Sequence, residues 1–296
     1  MKLKAIVCLS MLAGGIAVAV AQDSGEMKPP AVIQINREWL KPGKAGAIHD
    51  RSEAAFVSLM NKGKLQGHYI ALNSMTGKSR ALYMTRYPSF EAWENDNKIF
   101  ASNASLGAEL DRDIAADGEM LEGMDSAVLV YNEGLSFHPH PDYSHARYYE
   151  ITVFRVKLGH EKEFRELTKM YKDAMDKAGS KEHWGMYEEM YGGEAGTYIG
   201  ITARASLAEV DESLANGKKF VEAAGGEEAV DKLNKLFGEA VESVRSELFS
   251  INPKQSYVDE ATMKADADFW KPKAPKSAMA TTAKPAAASA NKPASR

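Results

Sequence analysis

The chain has little sulfur chemistry to offer. Its one cysteine, Cys8, lies in an apolar N-terminal run from Ala5 to Ala21 that follows Lys2 and Lys4. Ala19-Val20-Ala21 before Gln22 is a small-x-small cleavage pattern. Residues 1–21 are therefore expected to be a signal peptide, and the protein to be exported to the periplasm or beyond. Without Cys8 the mature chain has no thiol, which excludes disulfides, cysteine nucleophiles, thiolate-bound zinc and iron–sulfur clusters. The N-terminal run falls short of the roughly 20 apolar residues that span a bilayer, and nothing after it suggests a membrane protein. Phosphate-binding loops, dinucleotide glycine patterns and a Ser-His-Asp order are also missing. Gly192-Gly193 and Gly225-Gly226 read instead as turns and helix ends.

Net positive charge sits at the two ends. The formal net charge is −4, yet Lys2 and Lys4 at the start and the stretch from Lys271 to Arg296 carry bases with no acid among them. Residues 22–270 are therefore more acidic than the whole, which argues against nucleic acid as a partner. The stretch from about residue 271 is rich in Ala, Lys, Pro and Ser, too poor in apolar surface to fold, and is expected to be disordered. Its plain role is to solubilise; its charge would also suit loose contact with an anionic cell envelope.

What the chain does contain is an internal echo. Leu40-Lys41-Pro42-Gly43-Lys44 recurs as Val156-Lys157-Leu158-Gly159-His160, and Met84-Thr85-Arg86-Tyr87-Pro88-Ser89-Phe90 recurs as Ile201-Thr202-Ala203-Arg204-Ala205-Ser206-Leu207. Two echoes in the same order point to a duplicated unit. In the first unit, residues 31–135, strands are expected at 31–40, 68–75, 81–87 and 127–132, with helices at 45–61, after Ser89, and at 105–121. The second, residues 148–256, repeats the plan with strands at 148–157, 184–190, 197–204 and 247–252 and helices at 161–178, 206–224 and 227–244. Residues 22–30 are an N-terminal linker, 136–147 a His- and Pro-rich linker, and 257–296 a C-terminal tail. A βαββαβ order makes a ferredoxin-like sheet with helices on one face; two such units can cover each other's free faces.

The strand-Lys-x-Gly-Lys/His-helix signature, with Ser89-Phe90-Glu91-Ala92-Trp93 and Ser206-Leu207-Ala208-Glu209-Val210 after it, resembles the dimeric α–β barrel superfamily. That group includes antibiotic-biosynthesis-monooxygenase-like, NIPSNAP-like and stress-response barrel domains. The resemblance covers roughly residues 31–252 and implies an α+β fold: two tandem ferredoxin-like repeats packed sheet to sheet as an intrachain barrel, hence a monomer with an internal pseudo-dimer. The superfamily holds cofactor-free oxygenases, isomerases and haem enzymes, and its motifs mark the fold; no catalytic residue carries over. No cofactor is predicted.

Strand alternation suggests a site. Ile33 and Ile35 oppose Gln34, Asn36 and Glu38, and Ile151 and Val153 oppose Glu150 and Thr152. If the apolar face meets the helices, the polar face looks into the barrel. Gln34, Asn36, Tyr69, Asn73, Tyr83, Glu150, Thr152, Tyr187 and Glu189 then line a pocket suited to a small polar-aromatic or cationic organic molecule. The same residues could equally satisfy one another across the seam. The runner-up is a cofactor-independent oxygenase or isomerase, for which His68, His183, Glu150 and Glu189 are the available base types. A third reading is a structural envelope protein. A metal is not favoured; His138, His140 and His145, with Asp142, form a weak alternative set, since the intervening prolines suit an extended spacer.

Overall fold

A computed structural model describes residues 29–139 and 142–271. The first half runs β1 (Val32–Leu40), α1 (Ala47–Gly63), β2 (His68–Ser74), β3 (Arg80–Tyr87), α2 (Phe90–Ser102), α3 (Ala104–Gly118) and β4 (Leu121–Tyr131). The second runs β5 (Tyr148–Val156), α4 (Glu161–Lys177), β6 (Gly185–Tyr191), β7 (Thr197–Arg204), α5 (Ala208–Ala215), α6 (Gly217–Ala224), α7 (Glu227–Ala240) and β8 (Val241–Ile251), followed by α8 (Glu260–Ala265) and α9 (Ala267–Trp270). Local chemistry sets several boundaries. Ser89 Oγ accepts the Ala92 N–H at 3.1 Å to start α2, and Asn103 Oδ1 accepts the Leu106 N–H at 3.1 Å to start α3.

The eight strands close into one antiparallel barrel in the order β1-β3-β2-β8-β5-β7-β6-β4. The first half contributes the run β4-β1-β3-β2 and the second β8-β5-β7-β6, so the halves share strand ladders only where β2 joins β8 and β4 joins β6. Both junctions are short: Leu72–Ile251, Asn73–Ser250 and Ser74–Phe249 at one, and Val128–Tyr191 through Tyr131–Tyr187, with a register shift, at the other. Each is extended by a clamp of the same design. After β4, the Asn132 N–H bonds Met186 O (2.8 Å), the Ser136 hydroxyl bonds Asn132 O (2.8 Å) and accepts the Met186 N–H (2.9 Å), and Phe137 bridges to Trp184. After β8, the Asn252 N–H bonds Ala71 O (2.9 Å), the Ser256 hydroxyl bonds Asn252 O (2.8 Å) and accepts the Ala71 N–H (2.9 Å), and Tyr257 bridges to Tyr69.

The strands β4 and β8 start earlier than the expected 127 and 247. Glu122 to Ser126 and Glu242 to Ser246 are exposed throughout, so these strand starts carry no buried–exposed alternation and mimic helix continuations. The expected helix 206–224 is broken at Asn216 into α5 and α6. The linker is not a free spacer: Ser136, Phe137 and Ala146 are buried, and Phe137 stacks on Trp184 with centroids 4.8 Å apart. Residues 257–270, assigned above to a tail, are packed as well. Val258 and Trp270 join the barrel core, and the Trp270 indole N–H donates to Ser144 O at 2.9 Å. The expected signal peptide and the basic stretch from 272 onward lie outside the described residues. Among the described residues no helix is long and apolar enough to cross a membrane.

Removing either clamp hydroxyl strands a buried backbone N–H. Ser136→Ala and Ser256→Ala should each destabilise the fold by about 1–3 kcal/mol, and the two losses should add because they share no partner. Urea unfolding midpoints of the single and double variants check this; unchanged midpoints would show that the short strand junctions hold without clamps.

Candidate functional site

The barrel interior is filled by the apolar faces of its strands. Ile33, Ile35, Ile70, Leu72, Leu82 and Met84 meet Tyr149, Ile151, Ile199, Ile201, Phe249 and Ile251 in one buried cluster. The space left among them is about 30 Å³, on the scale of a water molecule. This reverses the expected phase: the apolar face meets the opposing half, and the polar face lies under the helices. Of the nine residues expected to line the lumen, only Tyr187 and Glu189 share the inward register, Tyr187 buried in the core cluster. The reason is that both faces of each sheet are covered, and helices bearing polar groups can accept the polar one.

The remaining residues, Asn73 apart, divide between two sheet–helix spaces. Glu150 and Thr152 line a cleft of about 410 Å³ in the second half, between β5, β7 and α4. Its walls are aromatic and apolar: Phe154, Phe164, Leu167, Tyr171, Trp184 and Phe237. At one side Arg204 donates to Glu150 at 2.9 Å and to Glu182 at 3.2 Å. Burial works to lower the Arg204 pKa, but the bonds to Glu150 and Glu182 outweigh it and hold the guanidinium above its ordinary value. Two carboxylates on one guanidinium leave this side of the cleft with net negative charge.

Gln34, Asn36, Tyr69 and Tyr83 line a cavity of about 180 Å³ in the first half, together with Glu38 and Glu53. Behind it the side chains of Glu38 (β1), His49 and Glu53 (α1) and Asp117 (the end of α3) converge, with one donor atom from each lying within 4.8 Å of the others. His49 Nε2 is 3.3 Å from Glu38 Oε2 and 3.7 Å from both Glu53 Oε1 and Asp117 Oδ1. Despite this proximity, these four atoms are buried and make no hydrogen bond. His49, Glu53 and Asp117 are only 1%, 3% and 2% exposed. Burial, followed by the neighbouring Glu38 and Asp117 carboxylates, holds the Glu53 carboxyl up to about 9. Burial also raises Glu38, with His49 opposing the shift. Tyr83, beside them, is pushed up by burial and by Glu53 and Glu38. Sequence reasoning placed Glu38 on the polar face but missed His49, Glu53 and Asp117; the visible signal was a His and a Glu one turn apart on α1, His49-x-x-x-Glu53.

The other candidates are not assembled into a site. Asn73 lines neither space, and Glu189 is buried against Arg37 at 3.4 Å. His68 stacks on Tyr257, and burial lowers its pKa. His183 bonds Ala203 O through Nε2 at 2.7 Å. His138 is paired with Asp176 at 3.1 Å and His145 with Asp142, while His140 lies outside the described residues.

The Glu53 carboxyl fixes the sign of a pH effect. Between its ordinary value of 4.5 and about 9 the unfolded chain releases a proton that the folded chain keeps. Stability of chelator-treated protein should therefore fall as pH rises through that window, and Glu53→Gln should flatten the decline. Urea midpoints measured across the window test this; equal slopes in the two proteins would contradict it.

No protein-family model matches the chain, and no curated protein matches it significantly. Solved structures do. A candidate monooxygenase from Fusobacterium nucleatum subsp. nucleatum superposes with a TM-score of 0.52 at 14% identity, covering 76% of this chain and 94% of that one. A candidate monooxygenase from Lactobacillus acidophilus matches with TM-score 0.45 at 11% identity over 77% and 99% of the two chains. A mutant chlorite dismutase from Candidatus Nitrospira defluvii matches with TM-score 0.48 at 9% identity over 76% and 93%. At these identities the likeness speaks to fold, and the fold shared with the first of them is a mixed α+β architecture of the ferredoxin-like α–β barrel kind.

Proposed function

We propose that this protein binds a small organic molecule in the second-half cleft, and that the chain is a tandem duplication acting as an exported monomer. The observation carrying the ligand reading is the cleft: about 410 Å³, walled by Phe154, Phe164, Tyr171, Trp184 and Phe237, with Glu150, Glu182 and Arg204 at one side. That volume falls within the usual 300–1,000 Å³ range for organic-ligand sites, and apolar walls with a few convergent polar groups are their usual lining. Aromatic faces beside an excess carboxylate favour a flat molecule bearing a positive or hydrogen-bond-donating group. Both carboxylates are held by Arg204, so the arrangement favours binding and orientation over proton abstraction. Export rests on the N-terminal residues alone.

The duplication reading is supported by matched main-chain bonds. The Lys41 N–H donates to Met120 O at 2.9 Å and the Lys157 N–H to Ala240 O at 2.8 Å, beside the paired clamps described above. A chain that supplies both sheets of its barrel needs no second copy to cover them.

Thermal denaturation with a panel of small aromatic amines and their neutral isosteres tests the cleft. A bound amine at 100 times its Kd should add about 2.7 kcal/mol to stability, raising the Tm by several degrees. Glu150→Gln, which leaves Glu182 on Arg204, should cut the response to the amines and leave that to the neutral isosteres. No shift with any probe, or an equal amine response in the variant, would reject the cleft as the site.

A further inference from the structure

We propose that Glu38, His49, Glu53 and Asp117 form a binding site for a first-row divalent cation, Mn²⁺, Fe²⁺ or Zn²⁺, in the first half of the barrel. This site is separate from the organic-ligand cleft and does not depend on it. Three observations carry the assignment.

Four potential ligand atoms on three different elements converge within 4.8 Å of one another. None of Glu38 Oε2, His49 Nε2, Glu53 Oε1 and Asp117 Oδ1 has a hydrogen-bond partner, although all are buried. Buried polar atoms are almost always satisfied, and four unsatisfied ones around a single point call for a shared partner. A single cation supplies a partner to all four atoms at once.

The matching place in the second half shows that the fold does not require this chemistry. By strand register and the matched main-chain bonds, Glu38 corresponds to Phe154 and Asp117 to Phe237. The buried positions of α1 and α4 place His49 against Phe164 and Glu53 against Thr168. Phe154 and Phe164 pack ring to ring there at 5.7 Å, where Glu38 and His49 face each other in the first half. Three phenylalanines and a threonine thus serve at the same backbone positions with no ionisable group, and the polar set needs a reason of its own.

The surroundings suit a ligand imidazole and an open coordination position. The Gln255 amide lies 3.3 Å from His49 Nδ1 and fixes the ring; its Oε1 is also buried without a partner. The same amide nitrogen donates to Asp50 Oδ1 at 3.1 Å, which holds the Gln255 side chain against the ring. On the other side, Glu38 and Glu53 face the 180 Å³ cavity, from which a water or small ligand can reach the ion. One nitrogen with three oxygens, and no sulfur, suits Mn²⁺, Fe²⁺ or Zn²⁺ better than Cu⁺, which prefers thiolates, or Ca²⁺ and Mg²⁺, which take oxygen sets.

The test uses the whole chain, stripped with chelator and dialysed against Mn²⁺, Zn²⁺ or Co²⁺, with bound metal measured by mass spectrometry. About one equivalent per chain is expected, with binding at least 10-fold weaker in His49→Gln and Glu53→Gln, both checked for folding by circular dichroism. Wild-type protein loaded with Co²⁺ gives a readout that needs no variant: a buried site of low coordination number intensifies the visible absorption relative to the hydrated ion. Failure of folded wild type to take up any of the three ions, uptake unchanged in both variants, or the weak spectrum of hydrated Co²⁺ each overturns the assignment and leaves a proton-sharing cluster in its place.

Discussion

Everything in this molecule depends on two sheets covering each other's apolar faces. Tyr149, Phe249, Leu72, Leu82 and Leu129 are among its most deeply buried side chains and come from both halves. Neither half can exclude water from its inner face alone, so the barrel is one cooperative core despite its two-part chain. The ladder bonds joining the halves are few, and the post-strand clamps at Asn132–Phe137 and Asn252–Tyr257 extend each junction by main-chain bonds that do not rely on strand length. With the interior occupied, cavities can form only outside the sheet, beneath the helices.

That displacement explains how much of the architecture was legible in sequence. The Lys41-Pro42-Gly43 and Lys157-Leu158-Gly159 turns, and the alternation around Ile33 and Ile151, were enough to lay out the strand and helix order. Alternation separates two faces of a strand but does not label them, and a sheet buried on both sides offers no exposed face as reference. Seven of the nine pocket residues are therefore grouped correctly by face but assigned to the wrong side, while Tyr187 and Glu189 lie on the opposite face from those seven. Glu150 and Thr152 still reach one cavity, and Gln34, Asn36, Tyr69 and Tyr83 another, because residues of one face travel together. The four-residue polar cluster was harder to see. Its members lie on β1, α1 and the end of α3, and only the fold brings Asp117 to His49.

The halves use one backbone plan for different chemistry. Where the second half lines its cleft with Phe154, Phe164 and Phe237, the first half buries Glu38, His49 and Asp117. Each sheet–helix space is walled mainly by its own half, so the two can hold different side chains. Some residues cross over: Gln255 follows β8, yet its amide reaches His49 and Asp50 on α1, and Tyr257 packs with Tyr69 and Tyr83, so the first-half space is completed by residues from the far end of the second.

The position of β8 has a consequence for biosynthesis. As the last strand, it pairs with β2 of the first half and is followed by Val258 and Trp270, which finish the core. A chain emerging from its N-terminus therefore presents β2 and β4 as unpaired edges, with their apolar inner faces bare, until most of its length has appeared. Premature collapse of the first sheet onto another nascent copy would build the same interface between chains that the finished protein builds within one. The molecule thus depends on the second half arriving before a neighbour does.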